Sequence, residues 1–245
     1  MRYPTFSRTP QIGGPSVFCR DPGPAGDILL LLRGLPSSSC IFETPCSYLS
    51  DYFTLVAPDY PGYEYSDSAD AKQFGHTFEN FAEVVIRFTQ TLARDRCTLF
   101  IQDSGDNRKS PQAFWDDRAA DESGLRTDLL PSAATRTRHL ENYPTVERYH
   151  PDEAGFLRQP EQAEIQSNLF YDCRANIASY PKRQASMHGR QPQLPVIWGV
   201  HDLSYELSEP EAHHREVPSA QVNIPDAGHF ALDTAVAAAL VGRAE

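Results

Sequence analysis

The chain has 245 residues, which is long enough for one large domain with a full hydrophobic core. Its formal net charge of −11 at pH 7 argues against a nucleic-acid-binding protein. No apolar run reaches the roughly 18 residues that a membrane-spanning helix needs, and residues 1–15 contain no apolar signal segment. Five scattered cysteines without Cys-x-x-Cys spacing predict free thiols, so we expect a cytoplasmic protein that associates with no membrane.

The first half of the chain is predicted to alternate strands with helices. Apolar residues recur at three- and four-residue steps over residues 77–92, and Thr77 can cap the start of this helix. Short apolar runs bounded by turn residues predict four strands in this half, at residues 16–20, 28–32, 54–57 and 99–102. This alternation is typical of a mostly parallel sheet with crossover helices.

The second half begins with a different kind of sequence. Residues 106–159 are charged and weakly periodic, and we expect loops with short helices there. Residues 160–179 carry an apolar stripe at four-residue spacing, which predicts a long helix. The alternation then returns, with strands at 195–199 and 220–224 and a last helix at 232–243.

Three polar residues each follow a predicted strand: Asp103, Asp202 and His229. Taken singly, an Asp after a strand is more often a helix cap or turn residue than a catalytic group, and a His after a glycine is more often part of a turn. Side chains at the carboxyl ends of parallel strands meet at one edge of the sheet, where ligands bind. The chain order of nucleophile, acid and histidine is that of the α/β-hydrolases, so the three together predict a catalytic site.

The segments around these residues carry recognisable motifs. In chain order they are RGLPSSS at 33–39, VAPDYPGYEYSD at 56–67, QDSG at 102–105, WGVHD at 198–202 and GHF at 228–230. They resemble, respectively, the oxyanion turn, the Ala-Pro-Asp-x-Pro-Gly stretch, the nucleophile elbow, the acid segment and the histidine segment of one family. The chain therefore resembles the epoxide hydrolase and haloalkane dehalogenase branch of the α/β-hydrolase superfamily, over about residues 16–105 and 155–240.

This resemblance implies an architecture for the whole chain. The fold would be an α/β-hydrolase-like, mostly parallel sheet with flanking helices and a helical cap. The two parts of the core would be residues 1–105 and 191–245, and the cap-like helical region would be residues 106–190.

The resemblance also implies a mechanism. The carboxylate of Asp103 would attack an electrophilic carbon and form an alkyl-enzyme ester. His229, oriented by Asp202, would then activate a water molecule that hydrolyses this ester. The backbone N–H groups of Leu35 and Ser104 would form the oxyanion hole for that second step.

The leaving group decides the substrate. Dehalogenases of this branch commonly carry Trp after the nucleophile, where this chain has Ser104, and some carry Asn in the oxyanion turn, where it has Leu35. Epoxide hydrolases of the branch use cap tyrosines as acids, and our candidates for binding the substrate are Tyr180 and then Tyr171. A packed ring with its hydroxyl at the surface is the alternative for each tyrosine. We expect an epoxide or a similar small electrophile as substrate, with a haloalkane or haloacid as the alternative.

No cofactor or metal is predicted. No glycine-rich phosphate loop follows any predicted strand. His213 and His214, with Glu211 and Glu216 nearby, lack the spacing of a metal site, and an exposed helix face explains them. The predicted partner is a small-molecule substrate and not nucleic acid, and the sequence leaves the oligomeric state open.

Two features depart from the family pattern. Arg33 stands where the family has a His that mainly holds the oxyanion turn. After Gly105, charged residues lead directly into a segment at 112–116 that resembles the start of the cap, so a βα unit of roughly 30 residues is missing. The missing helix would position the nucleophile, and the missing strand would lie in the middle of the sheet. A catalytically inactive or truncated α/β-hydrolase-like protein is therefore the second hypothesis.

Overall fold

A computed structural model describes residues 5–22, 27–34, 39–67, 74–91, 96–102, 160–202, 205–229 and 231. The chain falls into two compact units. The first unit comprises Met1–Ser104 and His150–Asp172, and the second comprises Gly105–Tyr149 and Cys173–Glu245. No helix in the described part of the chain is long and apolar enough to span a membrane. The division into two core parts and a cap stays a prediction.

The first unit contains a five-stranded mixed sheet. Its elements are β1 (Thr5–Arg8), β2 (Cys19–Pro22), β3 (Asp27–Leu32), a 3-10 turn (Ser39–Phe42), α1 (Glu43–Leu49), β4 (Phe53–Pro58), α2 (Phe78–Thr91), β5 (Thr98–Ile101) and the first part of α3 (Pro160–Ala178). The strand order is β1-β2-β4-β3-β5. The predicted parallel sheet is confirmed at its centre, where β3 pairs in parallel with β4 and β5, while β2 is antiparallel to β1 and β4.

The centre of this sheet is buried because its strands are apolar on both faces. Residues 28–31 of β3 are all buried, as expected for a strand covered on both sides. Leu30 pairs in register with Val56 of β4 on one side and with Leu99 of β5 on the other. Helix α2 contributes Phe88 to the same buried cluster as Leu30 and Val56, so the predicted apolar face of that helix is the one that packs.

The start of α2 is fixed by two side chains. The hydroxyl oxygen of Thr77 accepts the backbone N–H of Asn80 at 3.2 Å, which confirms Thr77 as the predicted cap. The backbone N–H of Phe78 donates to the carboxylate of Asp172 on α3 at 2.8 Å. Two of the N–H groups that a helix start leaves without an intrahelical partner are thus satisfied, one of them from another helix.

The predicted apolar stripe of α3 is also confirmed. Ile165 and Leu169 are 3% and 0% exposed and pack with Tyr63 and Phe81. Gly62 makes this packing possible, because its φ of +84° suits glycine and a Cβ there would lie 2.5 Å from Cδ1 of Ile165.

The second unit contains a smaller parallel sheet. Its described elements, after the end of α3, are α4 (Tyr180–Arg190), β6 (Pro195–Ile197), α5 (Ser208–Glu216) and β7 (Gln221–Asn223). β6 and β7 pair in parallel. The side-chain amide of Gln191 donates to the carbonyl oxygens of His188 at 2.7 Å and Glu216 at 2.9 Å, which ties the ends of α4 and α5 together.

The open side of β5 agrees with the predicted loss of a central βα unit. Within the described ranges, β5 pairs only with β3, and β6 and β7 form a separate two-stranded sheet. On β5, Leu99 and Ile101 share one face and are 52% and 55% exposed. A strand that the family places in the middle of a sheet is therefore left partly uncovered.

Several elements differ from the sequence prediction. The strand expected at 16–20 starts later, as β2, while β1, α1 and α4 were not predicted. Helix α5 carries the exposed helix face expected at His213 and His214. The helix expected at 232–243 and the loops expected at 106–159 lie outside the described residues. All five cysteines are free thiols, as predicted.

Substitutions of Leu30 and Leu99 compare the stability that a buried side chain of β3 contributes with the stability that an exposed side chain of β5 contributes. Leu30→Ala should lower the free energy of unfolding by about 2–5 kcal/mol, because it leaves a cavity in a packed core. Leu99→Ala makes the same chemical change at the paired position on β5, but on a side chain that is 52% exposed. It should cost only about 0.5 kcal/mol, as surface substitutions do. Urea unfolding checks both values, and equal losses would contradict the open face of β5.

His76 should make the protein less stable in mild acid. Its side chain is 4% exposed between the rings of Phe74 and Phe81, and neither ring nitrogen has a hydrogen-bond partner among the residues described. Burial lowers the pKa of His76, and the nearby charge of Glu164 opposes this only in part. The unfolded chain therefore binds the proton more readily, and stability falls as the pH drops below about 6.5.

Urea unfolding at several pH values between neutral and mildly acidic checks this. The His76→Gln variant should lose less stability than the unsubstituted protein over that interval, because position 76 no longer titrates. His213→Gln, at an exposed position on α5, is the control and should leave the pH dependence unchanged. The same pH dependence with and without His76 would refute the assignment.

Candidate active site

Two loops of the second unit form the first part of the candidate site. One leaves β6 at Trp198 and the other leaves β7 at Ile224. Because β6 and β7 are parallel neighbours, both loops emerge at the same edge of the sheet. Backbone hydrogen bonds join them: the N–H of Val200 donates to the carbonyl of Pro225 at 3.1 Å, and that of His201 donates to the carbonyl of Ala227 at 2.9 Å.

These loops bring Asp202 and His229 together, as the sequence predicted. Nδ1 of His229 lies 3.1 Å from Oδ2 of Asp202, and the two side chains are 13% and 6% exposed. The other carboxylate oxygen of Asp202 accepts the backbone N–H of Tyr205 at 3.1 Å. A carboxylate only accepts hydrogen bonds, so Nδ1 of His229 carries the proton and Nε2 is the basic nitrogen. This is the arrangement of a general base with its orienting acid.

Gly199 allows the two loops to approach this closely. A Cβ at position 199 would overlap the carbonyl oxygen of Gly228 and lie 2.5 Å from that of Ala227. Both contacts are with backbone, which cannot rotate away as a side chain does. The glycine of the Trp-Gly motif therefore sets the distance between the acid loop and the histidine loop.

Two aromatic side chains shield the pair, and the sequence analysis identified neither as part of the site. The buried ring of Tyr205 lies 5.3 Å from the imidazole of His229, and Trp198 packs edge-on against Tyr205 at 5.9 Å. An apolar wall strengthens the hydrogen bond between this imidazole and the carboxylate. The sequence contained one signal for Tyr205. It lies three residues after Asp202, and an Asp side chain often accepts a hydrogen bond from a backbone N–H a few residues downstream.

In the first unit, Arg33 holds Gly34, where the sequence predicts that the oxyanion turn begins. Its side chain is fully buried, and Nη1 donates to the carbonyl oxygen of Gly34 at 3.0 Å. The guanidinium group lies 4.9 Å from the ring centre of Tyr60 and 4.3 Å from that of Tyr63, a cation–π arrangement. Arg33 thus fixes the carbonyl of Gly34 at the start of this segment.

Asp59 anchors Ser39, which follows the residues predicted to form that turn. Its carboxylate accepts the backbone N–H of Ser39 at 2.8 Å and the Ser39 hydroxyl at 3.3 Å. Nε of Arg33 lies 3.9 Å away, close enough for an ion pair. Burial raises the pKa of Asp59, while the charge of Arg33 and the hydrogen bonds from Ser39 lower it. Residues 33 and 39 are therefore both tied to one buried carboxylate.

The remaining predicted site residues divide into two groups. Asp103, Leu35 and Ser104 lie outside the described residues, so their roles stay predictions. Tyr171 lies on α3 in the first unit and Tyr180 begins α4 in the second, and both are half-buried. Their roles in binding substrate also stay predictions.

Known proteins of similar sequence are hydrolases. An uncharacterized hydrolase of Saccharomyces cerevisiae is 25% identical over 266 residues, covering 92% of this chain and 91% of its own length. Haloalkane dehalogenase 2 of Mycobacterium tuberculosis is 25% identical over 261 residues, covering 89% of this chain and 88% of its own. No protein-family model matches the sequence.

Solved structures show the same fold. A candidate epoxide hydrolase from Pseudomonas aeruginosa superposes with a TM-score of 0.72 at 17% sequence identity, covering 97% of this chain and 94% of its own. The fold is therefore that of the α/β-hydrolases. Together with the sequence relatives, it confirms the predicted resemblance to the epoxide hydrolase and haloalkane dehalogenase branch of that superfamily.

The lengths of the alignments also bear on the missing segment. The alignment with the yeast hydrolase extends over 266 residues, although the whole chain has only 245. The alignment with the dehalogenase is similarly long, at 261 residues. These relatives therefore contain residues that this chain lacks, and the loss of a βα unit after Gly105 stays a prediction.

Gly199→Ala should separate the two loops. The added methyl group has no room against two backbone carbonyls, so we expect a loss of about 1–3 kcal/mol in the free energy of unfolding and a weakened Asp202–His229 hydrogen bond. Gly189→Ala in α4 is the matched control, because a Cβ there meets nothing within 4 Å. Alanine in a helix should stabilise by about 0.5–1 kcal/mol. Thermal unfolding, with NMR of the histidine ring protons, distinguishes these results; two variants of equal stability would rule out the close approach.

Proposed function

We propose that the protein is a hydrolase that opens an epoxide or a similar small electrophile through an alkyl-enzyme ester on Asp103. The observation that carries the proposal is the 3.1 Å contact between His229 and Asp202 in two loops at one edge of the β6–β7 sheet. The yeast relative supports hydrolysis, since it is named as a hydrolase.

In the first step, a carboxylate oxygen of Asp103 attacks a ring carbon of the epoxide. The bond between that carbon and the epoxide oxygen breaks, and the oxygen takes a proton from a tyrosine hydroxyl. Tyr180 is our first candidate for this acid and Tyr171 the second. The product is an ester between Asp103 and a hydroxyalkyl group.

In the second step, Nε2 of His229 removes a proton from water, and the oxygen attacks the carbonyl carbon of the ester. The negative oxygen that forms is stabilised by the backbone N–H groups of Leu35 and Ser104. Collapse of this intermediate breaks the bond between the carbonyl carbon and the alkyl oxygen, and that oxygen takes the proton of the new carboxyl group. The diol is released and Asp103 is a carboxylate again. The proton on Nε2 of His229 returns through solvent to the tyrosinate, which restores both side chains. Asp202 stabilises the imidazolium ion that forms, and its low exposure of 6% keeps that interaction strong.

Two other functions are tested by the same measurements. One sequence relative is a haloalkane dehalogenase, which supports a haloalkane or haloacid as substrate instead, with halide as the leaving group. The missing βα unit supports a protein that keeps the fold without turnover.

The test is to trap the ester. His229→Ala blocks the second step only, so incubation with a panel of small epoxides should add the mass of one epoxide to Asp103, measured by peptide mass spectrometry. A panel of haloalkanes and haloacids, with halide release as readout, tests the dehalogenase alternative. Asp103→Ala combined with His229→Ala is the matched control and should give no adduct.

Each outcome decides between the three functions. An epoxide adduct on Asp103 that the unsubstituted protein hydrolyses supports the proposal. An adduct that forms only from halogenated compounds, with halide released, supports a dehalogenase. No adduct from either panel, in a variant that folds as the unsubstituted protein does, favours the inactive protein.

A further inference from the structure

A second His–Asp pair joins the same two loops. Nε2 of His201 lies 2.7 Å from Oδ1 of Asp226. In this pair the loop after β6 supplies the histidine and the loop after β7 supplies the carboxylate. In the pair of Asp202 and His229 the contributions are reversed.

The two pairs are reciprocal and adjacent. His201 directly precedes Asp202, and Asp226 lies three residues before His229. Between them, the backbone N–H of His201 donates to the carbonyl of Ala227 at 2.9 Å. A shift of either loop by one residue would break both side-chain pairs at once. The two pairs together therefore specify one register of the loops.

The pairs differ in their exposure to solvent. The side chains of His201 and Asp226 are 38% and 86% exposed, whereas those of His229 and Asp202 are 13% and 6% exposed. An exposed ion pair adds little to global stability, because water screens it. The pair of His201 and Asp226 instead affects geometry. On the solvent side, it restrains the loop that carries His229.

We propose that His201 and Asp226 are positioning residues that form a clasp and hold His229 in register with Asp202. This inference rests on the proposed function for its effect on catalysis. Only the second step of that reaction uses His229, so loss of the clasp slows hydrolysis of the ester and leaves its formation unchanged. Small misplacements of a catalytic group cost up to about 100-fold in rate, so we expect hydrolysis to slow by about 10-fold to 100-fold.

The kinetic experiment compares four variants of the full chain. His201→Gln removes the imidazole and Asp226→Asn removes the carboxylate, so each weakens the clasp, and the double variant His201→Asp with Asp226→His restores it with the partners exchanged. His188→Gln is the matched control, because His188 and Glu216 form another exposed His–carboxylate pair of the same unit, at 3.8 Å. Rapid-quench mass spectrometry measures formation and hydrolysis of the ester on Asp103 separately.

We expect slow hydrolysis with normal ester formation in both single variants, recovery in the exchanged double variant, and no change in His188→Gln. A merely structural role would slow both steps together or would not be rescued by the exchange, and either result overturns the clasp. An effect of His188→Gln equal to that of His201→Gln overturns it as well.

A second measurement does not depend on activity. The proton on Nδ1 of His229 gives an NMR signal shifted by its hydrogen bond to Asp202, assigned by its loss in His229→Ala. His201→Gln and Asp226→Asn should weaken or shift this signal, and the exchanged double variant should restore it. An unchanged signal in both single variants overturns the clasp even where no substrate is turned over. Absence of any ester on Asp103, with the signal responding as expected, counts against the proposed function alone.

Discussion

The buried carboxylate of Asp59 is the interaction on which the first unit depends. The carboxylate oxygens of Asp59 accept hydrogen bonds from the backbone N–H and the hydroxyl of Ser39. The backbone N–H of Asp59 donates to the carbonyl of Phe18, and its backbone carbonyl accepts the hydroxyl of Ser66. Burial raises the pKa of Asp59, and the Arg33 guanidinium is the charge that compensates for it. Removal of either partner would leave a buried charge without its counterion, which is far more costly than loss of a surface pair. Residues 33 and 39, which flank the predicted oxyanion turn, are thus anchored by the protein interior.

The Arg in place of the family's His has a physical explanation in its neighbours. A guanidinium group is larger than an imidazole and is always charged, so it needs both space and compensation when buried. Tyr60 and Tyr63 present ring faces to Arg33, and Asp59 supplies the opposite charge. All three lie in the Ala-Pro-Asp-x-Pro-Gly stretch. From the sequence alone, Arg33 was only a residue that differs from the His of the family pattern. The tyrosines that accommodate Arg33 are about 30 residues away, and a local sequence pattern cannot reveal such a contact.

The sequence predicted the elements whose apolar residues form a regular pattern and the site residues that follow each other in a recognisable chain order. The aliphatic run of β3 requires burial on both faces, and the pairing of Asp202 with His229 follows from two parallel strands that end at one edge. Helix α4 has no buried residue, so it has no apolar stripe to read. β1 is a short edge strand held by backbone pairing. The contact of Gly199 with the histidine loop and the pairing of His201 with Asp226 connect residues more than twenty positions apart, and only the fold brings them together.

The missing βα unit and the histidine pair bear on different steps of the proposed reaction. Every contact described for Asp202 and His229 comes from the second unit: the N–H of Tyr205, the approach at Gly199 and the bonds between the two loops. The open side of β5 belongs to the first unit, on the strand that leads to Asp103. In the proposed reaction, the predicted loss of a neighbouring strand and helix would therefore act on the attack by Asp103. The proposed reaction would then stop before the ester forms, and no ester would accumulate.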